Sequence, residues 1–460
     1  MPLVPSSSEL IDPKMVPQDP HEQGLHHQLT AGQMTMVAVG GSIGTGLLLG
    51  SAAALEIAGP GVIVSYFIAA FIAFTVCMAL GELASMHPAA GSFGLYGELY
   101  LNQYWGFLCR AGYWASISFS IGAELVASAT YMTSWFPAVN GELWVILFSA
   151  LILIVNLRSV HSFGLFEFWF AMIKFVAILG FVLAGAVFLF GGRIPPQYTA
   201  HGGFLPHGPI APLLAVFLAI YAFGGVEMLA VTTGESRSSG DVPRAARLTF
   251  LLLAGIYLSA IIVLVGVMPR DHAGVSESPF VSVLRLAGIP SAAFLMNFVV
   301  LTAALSGANA KLYVASRLLF SMGRTGWAPA RFGQLSAAGS PRLALLVSSY
   351  GIVAALIFEN WAPKRAFLYI MGAAFSGLIM SWVISLAAHI SFRWRLTSEQ
   401  ISALPMRSPL GVGGSILGFV LVSAAVLNTL ISSRVNLIGG LTFFVGLTGA
   451  YLLLRRRRSS

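Results

Sequence analysis

Apolar segments of about twenty residues recur along almost the whole chain, and they limit its possible folds more than any other feature. A helix needs about 20 apolar residues to cross the hydrocarbon core of a bilayer. Only 9% of the 460 residues are charged, whereas soluble domains carry about 25%. The sequence therefore predicts an all-α polytopic membrane protein with twelve crossings. They are residues 33–57, 60–86, 104–130, 142–160, 163–190, 211–233, 244–268, 290–320, 342–358, 366–392, 409–431 and 434–454.

Lys and Arg residues are unevenly divided between the loops that these crossings create. An even number of crossings puts both termini on one side. With the termini inside, 17 Lys and Arg residues lie on the cytoplasmic side and 6 on the outer side. Because cytoplasmic loops carry the excess of positive charge, both termini are predicted to be cytoplasmic. This topology accounts for the net charge of +8, and no nucleic-acid partner is expected.

Glycines cluster in the middle of the first crossing. Four of them lie between Gly40 and Gly46, although a glycine in a helix interior costs about 1 kcal/mol relative to alanine. Their spacing also fits a helix-packing motif, which is the structural alternative. The sixth crossing carries adjacent Gly224 and Gly225 followed by Glu227, and adjacent glycines are not a packing repeat. We therefore expect both crossings to unwind at mid-membrane.

The two interruptions fall at matching positions of two five-helix halves, crossings 1–5 and 6–10. Paired interruptions of this kind are the best sequence indication of a transporter binding site. Unwinding frees peptide N–H and C=O groups that lipid cannot satisfy, so they must line a cavity or be buried in protein. Freed N–H groups suit a carboxylate and freed carbonyls suit an ammonium group. A zwitterionic amino acid fits both, and the odd number of helices per half implies that the halves run in opposite directions.

Six segments spread over about residues 28 to 400 share a dense pattern with a known family. They are "VAVGGSIGTGLLLGS" with the Ala58–Pro60 turn after it, "MALGELASMHPAAGSFGLYGELY", "YWASISFSIGAELVASATYMTSWFP", "FGLFEFWFAMIK", "YAFGGVEMLAVTTGESRSSGDVPRA" and "LSGANAKLYVASRLLFSMGRTGWAPARF". In these segments the chain resembles bacterial amino acid permeases. They form the amino acid transporter branch of the amino acid–polyamine–organocation (APC) superfamily.

The resemblance implies a LeuT-type fold. This has 12 transmembrane helices in a 5+5 inverted repeat plus two C-terminal helices, with helices 1 and 6 broken. It places a transport core at 29–395 and helices 11 and 12 with a basic cytoplasmic tail at 396–460. The first residues (1–28) are polar and contain prolines, so they are expected to form a disordered cytoplasmic tail. The resemblance also implies proton-coupled amino acid uptake across the bacterial plasma membrane by alternating access. An exchanger without net proton flow, or a membrane sensor that does not transport, stays open as an alternative. We expect a monomer, and neither an enzymatic centre, a cofactor nor a metal site.

Twelve residues around the two interruptions are candidates for holding the substrate. In the first crossing, backbone N–H groups would bind the carboxylate of the substrate, and the carbonyls of Val39 and Gly40 would bind its amine. The alternative is that these glycines serve helix packing only. In the sixth, Phe223 would also act as a gate, with core packing as the alternative. Residues 116–120 and 306–311 are expected to shape the side-chain pocket. The twelve candidates are Val39, Gly40, Ser42, Ile43, Gly44, Thr45, Gly46, Tyr221, Ala222, Phe223, Gly224 and Gly225.

Four ionisable residues inside the predicted crossings are candidates for proton coupling or gating. An ionisable residue at this depth is a functional hypothesis by default. Glu227 would either order the unwound segment or carry a coupling proton, and a purely structural carboxylate is the alternative. In related transporters, the lysine at the motif position of Lys174 is thought to occupy the place of Na⁺ in sodium-coupled relatives. The alternative is a lysine that snorkels to the interface.

The other two candidates are Glu124 and Lys311. Glu124 matches the family pattern and is expected to lie near mid-membrane, where it could pair with a lysine. Lys311 departs from the pattern, because the family has a small residue at this position. It could pair with Glu124 or Glu227, or repel cationic substrates. Three further residues, Glu82, Glu167 and His389, are expected to be interfacial.

Overall fold

The computed structural model describes residues 30–87, 92–158, 163–192, 195–199, 202–233, 236–238, 240–268, 277–336, 340–432 and 434–459. The regular elements of this part are helices, which confirms the predicted all-α class. The predicted tail 1–28 lies outside the described residues. The α-helices are α1 (Ala31–Ser42), α2 (Thr45–Leu48), α3 (Gly50–Ala58), α4 (Val62–Met86), α5 (Ser92–Tyr100), α6 (Gln103–Trp135), α7 (Gly141–Arg158), α8 (Phe163–Phe190), α9 (Ala211–Ala222), α10 (Met228–Thr232), α11 (Asp241–Val267), α12 (Pro279–Leu286), α13 (Pro290–Arg324), α14 (Arg342–Ser348), α15 (Tyr350–Trp361), α16 (Ala366–Trp394), α17 (Ser398–Ser402), α18 (Gly411–Ser432) and α19 (Arg434–Ser459).

Eight stretches of the described residues are long and apolar enough to cross a membrane, judged by length and composition. Each predicted crossing falls on one helix or on a group of consecutive helices, while the total of twelve stays a prediction. Helix α6 is 33 residues long but is not among the eight, because serines and a glutamate interrupt its apolar sequence. The eight stretches are Gly50–Met86, Trp169–Phe190, Asp241–Val267, Pro290–Arg324, Arg342–Trp361, Pro363–Trp394, Gly411–Ile431 and Ile438–Arg456.

Local sequence explains where the helices that frame the site begin. Thr30 caps α1 in a capping box with Gln33, in which each side chain bonds the backbone of the other residue. The Asn102 side chain accepts the N–H groups of Tyr104 and Trp105 and so starts α6. These caps satisfy donors that lack a partner in the first turn of any helix.

Helix α6 lies at the centre of the bundle, in contact with α13 and α16, and α11 packs on α4. The polar side chains of α6, among them Ser118 and Ser128, are buried rather than exposed. Large apolar side chains are exposed instead on outer helices, for example Leu147 on α7, Val187 on α8 and Leu453 on α19. An apolar outer surface around a core that contains polar groups is the arrangement that lipid requires.

Glu82 and His389 were expected at the interface, but the structure buries both completely. Glu82 Oε1 lies 3.1 Å from His389 Nε2 and 2.5 Å from Arg393 Nε. Glu82 Oε2 accepts the Arg393 guanidinium at 2.6 Å and the Ser408 N–H at 2.5 Å. Burial of this carboxylate inside the protein is tolerated because α16 supplies Arg393 and His389 next to the end of α4, so that it is paired and hydrogen-bonded. The interfacial depth of Glu82 and His389 stays a prediction. The side chain of Glu167 lies outside the described part.

Candidate functional site

Both glycine-rich segments interrupt a helix. Helix α1 ends at Ser42 and α2 begins at Thr45, with Gly44 in an extended conformation between them. Helix α9 ends at Ala222 and α10 begins at Met228. Gly225 lies between these two helices with φ of 115°, a conformation that glycine adopts far more readily than other residues.

The two interruptions lie directly against each other. A Cβ atom built on Gly46 would lie 2.8 Å from Ala222 Cα, and one built on Gly225 would lie 2.7 Å from Ser42 N. Real Cβ atoms essentially never come this close to backbone. The glycines therefore allow backbone-to-backbone contact between the two interrupted helices as well as the interruptions themselves, so the packing explanation holds in part.

A cavity of about 30 Å³ opens beside this contact. Six of the twelve predicted substrate residues line it, namely Ser42, Gly44, Gly46, Tyr221, Gly224 and Gly225. The other six do not, namely Val39, Gly40, Ile43, Thr45, Ala222 and Phe223. Ser116, Ile117 and Ser120 line it from the expected stretch of α6, and so do three of the four ionisable candidates, Glu124, Glu227 and Lys311.

Four lining residues were missed by the sequence reasoning, namely Gly41, Tyr113, Met228 and Leu378. Tyr113 carried a usable signal, because a phenol inside an apolar helix normally finds a hydrogen-bond partner when buried. Met228 and Leu378 carried no signal that separates them from ordinary core residues.

Phe223 packs in the core and does not line the cavity. Its ring is fully buried, with centroid distances of 4.9 Å to Tyr257 and 6.4 Å to Tyr66. This arrangement matches the core-packing alternative, and a gating role for Phe223 stays a prediction.

Protein side chains satisfy the carbonyl groups freed at the end of α1. Lys174 Nζ donates to the Gly40 carbonyl at 3.1 Å, and the Tyr257 hydroxyl donates to the Ser42 carbonyl at 2.7 Å. Lys174 is only 1% exposed, so its side chain does not snorkel to an interface. Lys174, a residue of α8, therefore binds the backbone of α1 at the first interruption.

Glu227 holds the second interruption in place. Its carboxylate accepts the Gly225 N–H at 3.0 Å, the Tyr113 hydroxyl at 2.8 Å and the Trp382 indole N–H at 3.1 Å. Three neutral donors from three segments surround one buried carboxylate. This geometry is the one expected if Glu227 orders the unwound segment.

Glu124 lies against the first interruption from α6. Its Oε1 atom is 2.5 Å from Lys311 Nζ, and its Oε2 atom accepts the Thr45 N–H at 3.4 Å. A Cβ atom on Gly44 would lie 2.8 Å from Oε1, so a glycine is needed for the carboxylate to come this close. One N–H group expected to face a substrate carboxylate thus faces a carboxylate of the protein.

Comparisons with known proteins agree with this architecture. The family model described as "Amino acid permease" matches residues 33–452. The "Uncharacterized amino acid permease YtnA" of Bacillus subtilis (strain 168) is 34% identical over 443 residues, which covers 94% of this chain and 95% of that protein. The "Gamma-aminobutyric acid permease" of the same organism is 32% identical, with coverage of 95% and 96%. The "Aromatic amino acid transport protein AroP" of Escherichia coli (strain K12) is 34% identical, with coverage of 83% and 84%.

Among solved structures, a mutant of the manganese transporter of Eremococcus coleocola superposes with a TM-score of 0.59 at 14% identity. The superposition covers 94% of this chain and 95% of that one. At this identity the likeness concerns the fold alone. The family model and the relatives that match along most of both chains show that this chain belongs to the amino acid permease family, as a multi-pass membrane transporter of amino acids and not an enzyme.

Proposed function

We propose that this permease is a secondary active transporter that couples amino acid uptake to protons by alternating access, and that the cavity between the two interruptions is its substrate site. The observation that carries the proposal is the meeting of two interrupted backbones with Glu124, Glu227 and Lys311 around one cavity. Ionisable groups at membrane depth mark substrate and proton pathways, and interrupted helices mark midplane binding sites.

The substrate would be held mainly by its zwitterionic head group. Peptide N–H groups of Gly44 and Gly46 would bind the carboxylate, and backbone carbonyls of the second interruption, with the serine hydroxyls of α6, would bind the ammonium group. A cavity of about 30 Å³ holds one or two water molecules. An amino acid therefore needs the lining to move apart, as the alternation between outward-open and inward-open states would require.

Lys174 is the proposed site of proton coupling. Its ammonium ties α8 to the Gly40 carbonyl, and a charge-assisted hydrogen bond is about twice as strong as a neutral one. Loss of the proton would weaken this hydrogen bond and allow α1 to move relative to α8. Substrate and proton then shift the populations of the two states through their different affinities for each state.

The proposal also includes a bacterial inner-membrane location with both termini in the cytoplasm, and function as a monomer. The unequal distribution of Lys and Arg between the loops supports the orientation.

Uptake into proteoliposomes tests the proposal. Purified full-length protein is reconstituted, and accumulation of L-alanine, L-serine, L-leucine, L-phenylalanine and 4-aminobutyrate is followed with an imposed pH gradient and membrane potential. One net charge that enters at 100 mV gains about 2.3 kcal/mol, which supports roughly 50-fold accumulation. We expect accumulation that a protonophore abolishes. Counterflow with no dependence on pH would indicate an exchanger, and binding without uptake would indicate a sensor.

A further inference from the structure

We propose that Lys311 is a selectivity residue of this cavity. Its ammonium takes the position beside Glu124 that a cationic group of a ligand would otherwise occupy. The permease would therefore accept amino acids without net positive charge and reject cationic amino acids and alkylamines. This inference rests on the proposed function, because it takes the cavity to be the substrate site.

The ion pair is part of the cavity wall. Lys311 comes from α13 and Glu124 from α6, and both line the cavity with Tyr221 and Gly44. The Lys311 side chain is 12% exposed and that of Glu124 is 1% exposed, with 2.5 Å between Nζ and Oε1. The ammonium therefore lies at the end of a four-carbon side chain, within a site where small molecules would bind.

The acidic groups of the cavity already have partners. Among the described residues that line it, the carboxylates are those of Glu124 and Glu227. Glu124 is bound by Lys311 and by the Thr45 N–H, and Glu227 by Gly225, Tyr113 and Trp382. A zwitterion carries its own counter-charge and needs no further carboxylate. A second cation on the substrate would meet the Lys311 ammonium with no carboxylate left to neutralise it.

Stability alone is a weak reason for a buried ion pair. Such pairs are often replaced by apolar residues without loss of stability, whereas removal of one partner leaves an uncompensated buried charge. Removal of the lysine side chain should therefore leave Glu124 in need of a cation. Lys311→Ala removes three methylene groups and the ammonium, which together have the size and charge of propylammonium. The variant cavity should bind that ion.

Wild-type selectivity is the first test. Uptake of the five neutral probes named above is compared with uptake of L-lysine, L-arginine and propylamine at equal concentration. Because like charges brought together cost several kcal/mol, and about 1.4 kcal/mol is tenfold in affinity, we expect a preference of about 100-fold for at least one neutral probe. Uptake of L-lysine or L-arginine at the same rate as the best neutral probe would overturn the selectivity proposal.

The second test uses Lys311→Ala, Lys311→Met and Lys311→Arg, with exposed Lys364→Ala as the matched control. Propylammonium and L-lysine should raise the melting temperature of Lys311→Ala and leave that of the wild type and of Lys364→Ala unchanged. The double variant Lys311→Ala with Glu124→Gln should lose this effect, and Lys311→Arg should keep the rejection of cations. Folded Lys311→Ala and Lys311→Met proteins that still reject every cation would refute the proposal.

The two proposals fail in different ways. If the wild type neither binds nor transports any amino acid, the proposed function is wrong. If it transports neutral and cationic amino acids alike, the proposed function stands and the role of Lys311 is wrong. Should the alanine and methionine variants not fold, wild-type selectivity and Lys311→Arg still decide the matter, because neither depends on those variants.

Discussion

Lys174 and Gly40 are 134 residues apart in the sequence, yet the lysine ammonium donates to the glycine carbonyl at 3.1 Å. The carbonyl belongs to the last turn of α1, just before the first interruption. A buried lysine is costly in a membrane, at about 2.5–3.5 kcal/mol on insertion scales, and here it satisfies a carbonyl beside an interrupted helix. The pair therefore joins the structural support of the interruption to a group that can gain or lose a proton.

Lys174→Ala should remove the response of uptake to a pH gradient. The charge-assisted bond to Gly40 is worth about 1.5–3 kcal/mol, so accumulation driven by pH should fall by about tenfold or more. Counterflow, which needs no net proton movement, should be kept better than net uptake. Proteoliposome assays with and without a pH gradient measure both, with Lys364→Ala as the control. Unchanged pH-driven uptake in a folded Lys174→Ala protein would remove this residue from the coupling role.

Tyr113→Phe should reduce transport more than an equivalent loss of a hydroxyl elsewhere. The Tyr113 hydroxyl donates to Glu227 Oε1 at 2.8 Å, so its loss loosens the carboxylate that holds the second interruption. Tyr350→Phe is the matched control, because its hydroxyl donates to the Ala115 carbonyl at 2.8 Å. Each change should cost about 1 kcal/mol of stability, measured as a drop in melting temperature. Equal uptake by the two variants would argue against the role of Tyr113 in ordering the site.

Glu227→Gln tests the same support more severely. A neutral amide offers one acceptor oxygen instead of two, and its NH₂ group would face the donors of Gly225, Tyr113 or Trp382. A buried donor left without a partner costs about 1–3 kcal/mol. We expect a lower melting temperature and loss of uptake at every pH. Retained uptake that merely loses its pH dependence would instead assign the coupling proton to Glu227.

Gly46→Ala and Gly225→Ala should each disturb the contact between the two interrupted helices. Each new methyl group would come within 3 Å of backbone atoms of the other interruption, and overpacking of this kind costs about 1–3 kcal/mol. Gly255→Ala in α11 is the control, because nothing lies within 4 Å of a Cβ atom there. Melting temperature and substrate-induced stabilisation should fall for the first two variants and not for the control. If all three behave alike, close backbone approach is not what these glycines provide.

Much of the fold was predictable because the bilayer imposes a simple length and polarity pattern on the chain. The positions of the interruptions were also predictable, because clustered glycines destabilise the interior of an apolar helix. The side chains that bind the freed backbone carbonyl groups could not be predicted. Tyr257 reaches the Ser42 carbonyl across 215 residues of sequence, and nothing in the local pattern of either segment indicates the other.

Charged residues near helix ends were the least predictable. Glu82 was expected at the interface from its position at the end of a crossing, and that position does not reveal that the carboxylate pairs with Arg393 and lies beside His389 in a fully buried cluster. Lys311 stood out as an unusual residue, but the choice between Glu124 and Glu227 as its partner depended on the packing of α13 against α6. Sequence distance from an interface does not determine burial when neighbouring helices supply a counter-ion.

His87, just beyond the end of α4, should make the stability of the protein depend on pH. The side chain is buried, with Nε2 at 2.5 Å from the Tyr100 hydroxyl, and burial lowers its pKa from the ordinary 6.5 to about 4. The folded protein thus keeps this imidazole neutral at pH values where the unfolded chain binds a proton. Its contribution is therefore fully present above pH 6.5 and is lost as the pH falls from about 6.5 towards 4, by about 2 kcal/mol at pH 5. Melting temperatures of the wild type and His87→Gln, each at pH 7.5 and pH 5, measure this loss of stability. The wild type should lose more stability on acidification than the variant. Tyr100→Phe should keep the pH dependence, since it leaves the ring buried, and an equal pH response in wild type and His87→Gln would show that this histidine does not bind the extra proton on unfolding.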